Sequence, residues 1–229
     1  MRSHSKAACI AAVCCLIALV SVAPVFAQPV RRDIHAVAEK VDKHYNNLQT
    51  LQADFTEIYQ GAGISRNESG TLWLRRPGRM RWQYEQPRKK LFVVDGKTAW
   101  FYAAGDQMAQ KAQVKNLDDL RTPLAYLLGR TKLEKEFEGL SIAPDQSPKN
   151  GGTVVLRGVP KNMKERVSQV LLEVTDAGVI TRIVAEEVDG STTEFRFSNQ
   201  HENVQVAGDK FKFTAPPGVQ VEETQTAQF

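Results

Sequence analysis

Past residue 15 the sequence has no cysteine; all three, Cys9, Cys14 and Cys15, sit at its start. The remainder of the chain therefore holds no disulfide, no thiolate nucleophile and no cysteine-ligated metal. Aromatic residues are scarce, at 8%. Charge is nearly balanced, 30 Lys and Arg against 26 Asp and Glu for a formal +4, too slight an excess to indicate a nucleic-acid partner. The apolar run Ala7–Val22 spans 16 residues, short of the roughly 20 that cross a bilayer. With 42% hydrophobic and 24% charged residues, fibrous, disordered and multi-span membrane classes are excluded.

Catalytic signatures are missing as well. The sequence has no HExxH, GxSxG or GxGxxG. Gly96-Lys97-Thr98 resembles the end of a phosphate-binding loop, but the first glycine that loop requires would stand where Leu91 is, and Asp95-Gly96 reads better as a hairpin turn. His35, His44 and His201 have no second ligand at metal spacing. Glu186 and Glu187 are strand neighbours that point to opposite faces. Asp118-Asp119 sits just ahead of a predicted helix, where acid is favourable. No cofactor is expected, and an enzyme is the weaker class.

Residues 1–27 have the pattern of a secretory signal peptide: Arg2 and Lys6 lead, an apolar stretch follows, and Val25-Phe26-Ala27 precedes the expected cleavage at Gln28. Mid-run positions of Cys14 and Cys15 do not suit a lipid anchor. Removal would leave 202 residues with no cysteine and lower the charge to +2, since the segment holds two basic residues and no acid. Residues 28–229 are long enough to form one domain with a core of its own.

The first element is an amphipathic helix between Asp33 and Leu51, whose face is Ile34, Val37, Ala38, Val41, Tyr45 and Leu48. The period then changes to two. Ala53, Phe55 and Tyr59 alternate with polar residues, although Glu57 interrupts the apolar set, and Met80, Trp82 and Tyr84 alternate with Arg79, Arg81, Gln83 and Glu85. Strands are predicted at Leu91–Val94, Thr98–Tyr102, Val154–Arg157, Val167–Thr175, Val179–Val188, Thr192–Ser198, Val204–Val206 and Lys210–Phe213, with hairpin-type separators. Two short helices are predicted midway, one from Pro123 through Leu124, Tyr126, Leu127 and Leu128, the other opening on the capping box Thr131–Glu134 and ending near Gly139. Roughly ten strands with helices only at the start and middle imply a large, curved antiparallel sheet closed by a helical layer. Glu222–Phe229 reads as an unstructured tail.

One segment has unusual composition. Residues 70–90 carry Arg75, Arg76, Arg79, Arg81, Arg88, Lys89 and Lys90 against the single acid Glu85, with aromatics interleaved. A half-buried strand with a solvated basic face explains most of them. Single-stranded nucleic acid binding is disfavoured by export and by the low residual charge.

Four stretches then carry a resemblance: Gly70-Thr71-Leu72-Trp73-Leu74-Arg75-Arg76-Pro77 with Trp82 and Gln86-Pro87; Asp95-Gly96-Lys97-Thr98-Ala99-Trp100-Phe101-Tyr102; Thr122-Pro123-Leu124; and Phe211-Lys212-Phe213-Thr214-Ala215-Pro216-Pro217-Gly218-Val219. In this order and spacing the chain resembles the LolA family of periplasmic outer-membrane lipoprotein carriers. The resemblance implies a mainly β fold with some α: an incomplete barrel, a strongly curved antiparallel sheet of about 10–11 strands, under a lid of three helices around a hydrophobic cavity. It implies a monomeric chaperone that takes triacylated lipoproteins from an inner-membrane ABC-type releasing complex to an outer-membrane receptor. It further implies that Arg76 latches the lid in the unloaded state, that Met80, Trp82 and Tyr84 line the cavity wall, and that Leu124, Tyr126, Leu127 and Leu128 belong to a lid helix. Met80 stands where family members often have Phe, which suggests a looser wall. The segment after Val219 also departs from the family ending. A lipid- or lipoprotein-sensing module is the runner-up reading, and a lipid hydrolase a weaker one.

Overall fold

Alternating apolar and polar side chains give a strand one face to bury and one to wet, and here that pattern runs almost the length of the chain. The structure, a computed structural model, describes residues 32–114 and 132–224, all within the unit Arg32–Phe229. In order they form α1 (Ile34–Asn47), β1 (Thr50–Gly61), β2 (Ile64–Arg75), β3 (Arg79–Gln86), β4 (Lys90–Val94), β5 (Thr98–Ala103), β6 (Met108–Gln113), α2 (Leu133–Glu136), β7 (Phe137–Ile142), β8 (Thr153–Pro160), β9 (Val167–Thr175), β10 (Ile180–Glu187), β11 (Thr192–Glu202) and β12 (Gln220–Glu223). The strands make one curved, unclosed sheet in the order β12-β6-β5-β4-β3-β2-β1-β11-β10-β9-β8-β7. Neighbours run antiparallel, except that β12 lies parallel to β6.

The inner face of the sheet carries the main core, where Phe55, Leu72, Leu74, Trp82, Phe92, Leu156, Ile183 and Phe195 are nearly or wholly buried with Ala38, Val41 and Tyr45 of α1. Each such large apolar side chain contributes about 1.5–3 kcal/mol on burial. The helix starts at an Asp33 N-cap, whose carboxylate accepts from His35 N–H at 3.0 Å. It crosses the β9–β10 turn at Gly178, which has φ +86°; a Cβ there would stand 2.6 Å from the Lys40 carbonyl oxygen. Only glycine lets helix and turn approach so closely.

Several sequence expectations are corrected. Among the described residues twelve strands replace the expected number of about 10–11. Ile64–Arg75 is a strand despite its polar content, because it returns from a tight turn at Ala62-Gly63 to pair with β1 along its whole length. The expected second helix stops at Glu136, not near Gly139. Phe137 instead starts β7 and pairs with Pro160. Lys132 is its N-cap, without a side-chain bond, and the orphan N–H of Leu133 is satisfied from α1 by Asp42 Oδ1 at 2.9 Å. Val204–Val206 and Lys210–Phe213 are not strands; a single 3₁₀ turn, Gly208–Phe211, lies there. Glu222 and Glu223 pair with Gln110 and Lys111 in β12 rather than forming a tail. The expected lid of three helices is not shown; two, α1 and the one-turn α2, are found among the described residues. The expected helix of Leu124, Tyr126, Leu127 and Leu128, the leader at 1–27 and Thr131 lie outside them.

On the outer face a fully buried carboxylate, Glu173, holds the loop before β8. It accepts from Lys149 N–H (3.0 Å), Asn150 N–H (2.7 Å), the Asn150 side chain (2.9 Å) and the Thr153 hydroxyl (2.8 Å). Burial alone would push its pKa up, but those backbone and side-chain donors hold it below the usual glutamate range. A lowered folded-state pKa stabilises the fold above the unfolded-state value and is lost as pH falls through the folded one. Glu173→Gln is expected to cost about 2 kcal/mol at pH 7. Urea unfolding should show the gap from the parent narrowing on acidification below the ordinary carboxylate range.

Candidate functional site

β3 sets the site because its alternation sends Met80, Trp82 and Tyr84 inward and Arg79 and Arg81 outward. In register, Met80 lies between Leu74 and Val94, Trp82 between Leu72 and Phe92, and Tyr84 between Gly70 and Lys90. All three expected wall residues are thus brought together, and they are 5%, 0% and 1% exposed. Trp82 is the hub of a ring cluster. It meets Phe55 edge-on at 4.8 Å, Phe195 at 5.2 Å and Phe197 at 6.3 Å, while Phe55 also meets Tyr84 edge-on at 4.9 Å. Such contacts add about 0.5–1.5 kcal/mol per pair beyond area burial. Within this packing the Trp82 indole N–H is buried and has no hydrogen-bond acceptor among the described residues, a desolvation cost of about 1–3 kcal/mol.

The inner face becomes polar at the Tyr84 end. Tyr84 donates its hydroxyl proton to Glu57 Oε2 at 2.5 Å. Lys90 pairs with Glu68 at 2.5 Å and lies 4.3 Å over the Tyr84 ring. Glu57 and Glu68 are direct partners across β1 and β2. The break that Glu57 makes in the β1 apolar pattern is the sequence signal of this polar end. Lys90 had no such signal and reads from composition as one more solvated cation.

Arg76, the expected latch, follows β2 directly. Its guanidinium donates from Nη2 to the carbonyl oxygen of Tyr45 in the last turn of α1, and its backbone N–H donates to the Gln49 carbonyl at 2.9 Å. The bond also places a cation at the negative end of a helix. Tyr45 is held a second time, its hydroxyl accepting from Ile180 N–H at 3.0 Å. Burial, above all, pushes the Tyr45 phenol well above its ordinary pKa, so the group stays neutral. Asp42, the acceptor for Leu133, is also pushed up, by burial first and then by Glu134 and Glu39 nearby.

Arg75 and Arg81 are not simply solvated. Trp73 faces outward opposite Arg81, and residues 204–214 lie across this outer face. Arg81 donates to the Lys210 carbonyl at 3.1 Å and Arg75 to the Val206 carbonyl at 3.3 Å. Lys210 stacks 4.4 Å over Trp73, and Phe213 packs on Trp100 and Tyr102 at 5.4 and 6.0 Å. Burial lowers the Arg81 pKa, with Glu85 opposing. Asp95 closes the 95–98 turn by accepting from Lys97 and Thr98 N–H, so the phosphate-loop resemblance is a plain turn. Among the described residues no group of three or more His, Cys, Asp or Glu side chains is placed to hold a metal.

An unclosed β-barrel with an apolar, aromatic inner face and a helix tied across it defines the class of protein. Comparison with known proteins then identifies the family. Residues 46–214 match the family described as Outer membrane lipoprotein carrier protein LolA, and the chain belongs to that family. It is 32% identical over 180 residues to the outer-membrane lipoprotein carrier protein of Nitrosomonas europaea, covering 77% of this chain and 84% of that one. It is 32% identical to the protein of that name in Nitrosospira multiformis (76% and 83% covered) and 27% identical to that of Cronobacter sakazakii (93% and 97% covered).

Because Trp82 is the hub of the inner packing, Trp82→Ala is expected to destabilise the fold by about 3–5 kcal/mol. Met80→Leu, nearly equal in volume, should cost under about 1.5 kcal/mol. Urea titration of the two variants beside the parent checks the ordering.

Proposed function

We propose that this chain is a periplasmic, monomeric carrier that shields the acyl chains of triacylated lipoproteins in transit from an inner-membrane ABC-type releasing complex to an outer-membrane receptor. Membership of the carrier family supports this reading, and so does the inner aromatic face around Trp82. The chain acts by binding and release rather than by catalysis.

Energetics constrain how such a carrier works. Three acyl chains hold roughly 40 methylenes at about 0.8 kcal/mol each, on the order of 30 kcal/mol of avoided water contact. Non-covalent affinities saturate near 18–21 kcal/mol. An open apolar bowl would therefore never release its cargo, and would also expose a large apolar patch when empty. The inner face resolves both problems if it is closed on itself when empty. Loading then breaks the packing of Trp82, Phe55 and Phe195 and the tether from Arg76 to Tyr45; unloading restores them. The observation that carries the reading is this buried inner face with α1 tied across it. In the proposal Arg76 is the latch, Met80, Trp82 and Tyr84 are the wall that receives the chains, and Leu124, Tyr126, Leu127 and Leu128 supply further cover.

Mass spectrometry of material co-purified with the chain from a periplasmic fraction tests the cargo. Triacylated lipoprotein is expected; free lipid alone, or nothing, would favour a sensing module or a hydrolase. Arg76→Leu is expected to accept lipoprotein normally but to pass it to outer-membrane vesicles roughly tenfold more slowly, the effect of losing one charge-assisted hydrogen bond from the closed state. Normal transfer by this variant in a reconstituted assay would remove Arg76 from the mechanism.

A further inference from the structure

The inner face of β3 is graded in polarity. Met80 offers no donor and only a weakly accepting sulfur, Trp82 offers a single N–H, and Tyr84 offers a hydroxyl already committed to Glu57 beside the Lys90–Glu68 pair. Of these the indole N–H stands out, because it is fully buried and without an acceptor among the described residues. Its neighbours Phe55, Phe92 and Phe195 show that a plain benzene ring suits this environment, so an indole at this position carries a penalty that phenylalanine would avoid. A buried donor left unmet in one state of a protein that must open is explained if the other state meets it.

The acceptor has to arrive with apolar matter. Methylene chains have none, but every acyl chain is joined to its carrier through a carbonyl, as ester or amide. We propose that Trp82 Nε1–H donates to a carbonyl oxygen of the acyl linkage in the loaded state. This fixes the direction of the cargo, with chain ends toward Met80 and the linkage toward Tyr84, so that the polarity of the acylated group runs with that of the strand. The inference rests on the carrier reading and adds a chemical selectivity to it: the site distinguishes acyl chains from alkyl chains of equal length.

Two fluorescent lipopeptide probes test it, identical except that one carries its two long chains as glyceryl esters and the other as glyceryl ethers. The unmodified full chain is expected to bind the ester probe about three- to tenfold more tightly, the range of one neutral hydrogen bond. In Trp82→Phe the ratio should collapse to about one, with the ether probe serving as the internal reference for a folded site. Equal affinities in the unmodified chain, or an ester preference that survives in Trp82→Phe, would overturn the proposal. Failure of the unmodified chain to bind either probe would instead overturn the carrier reading beneath it. Should Trp82→Phe not fold, the unmodified protein still reports: the Trp82 indole proton resonance is expected to move downfield with the ester probe and not with the ether, and identical shifts with both would refute the contact.

Discussion

Tyr45 joins the helix to the sheet with both of its polar ends. Its hydroxyl accepts from the backbone of Ile180 at the start of β10, and its carbonyl accepts from Arg76 at the end of β2, two strands that lie on opposite sides of β1 and β11 in the sheet order. One residue thus spans the curve of the sheet and fixes where α1 lies over its interior. Close packing at Gly178 and the Asp42 bond to Leu133 secure the other side of the helix. The apolar interior depends on this placement, because a sheet that does not close leaves its inner face to be covered by whatever packs across it, and among the described residues α1 is the longest such element.

The two faces of the sheet solve different problems. Inside, rings pack on rings, and charge gathers at one end, Glu68 with Lys90 beside Glu57 and Tyr84. Outside, cations are used as structural cement: arginines from β2 and β3 bind carbonyls of the strap at 204–214, and lysine packs on tryptophan. Guanidinium groups suit this work because their planar donors reach carbonyl oxygens while the stem covers apolar surface. Basic residues that look like a uniform charged patch in composition thereby differ in what they hold: Arg76 the end of α1, Arg75 and Arg81 the strap, and Lys90 an inward-facing glutamate.

Periodicity carried most of the fold. The strands β3, β4, β5, β8, β9, β10 and β11 and the helix α1 were legible because their apolar residues repeat at the period of the element. β2, β6 and β7 were not, since each is a strand by virtue of its partner rather than its own pattern: β2 is polar for half its length, β6 has its two buried alanines three residues apart, and β7 follows a helical turn directly. Phe211 and Phe213 read as strand because they alternate, yet one is buried as the last residue of the 3₁₀ turn and the other rests on Trp100. At the site, the shared face of Met80, Trp82 and Tyr84 was legible in their period-two spacing, whereas Arg76 was singled out only by the family resemblance, and the partners of each were not legible. Phe55, Phe195 and Phe197 reach Trp82 only through the pairing of β1 with β11, which no local pattern encodes. The lack of an acceptor for the Trp82 N–H is likewise a property of three-dimensional packing alone.

That pairing of β1 with β11 also orders events in time. Phe55 sits opposite Phe197 and Gln52 opposite His201, so the centre of the sheet is built from segments near the two ends of the chain. Hairpins such as β1–β2 and β9–β10 are local and form early. Their union must wait for the last third of the polypeptide, and bringing such distant segments together is entropically slow. Until it happens both half-sheets present an unpaired edge and a bare apolar face. The nascent carrier is thus, for an interval, itself in need of the protection that its finished form provides to others.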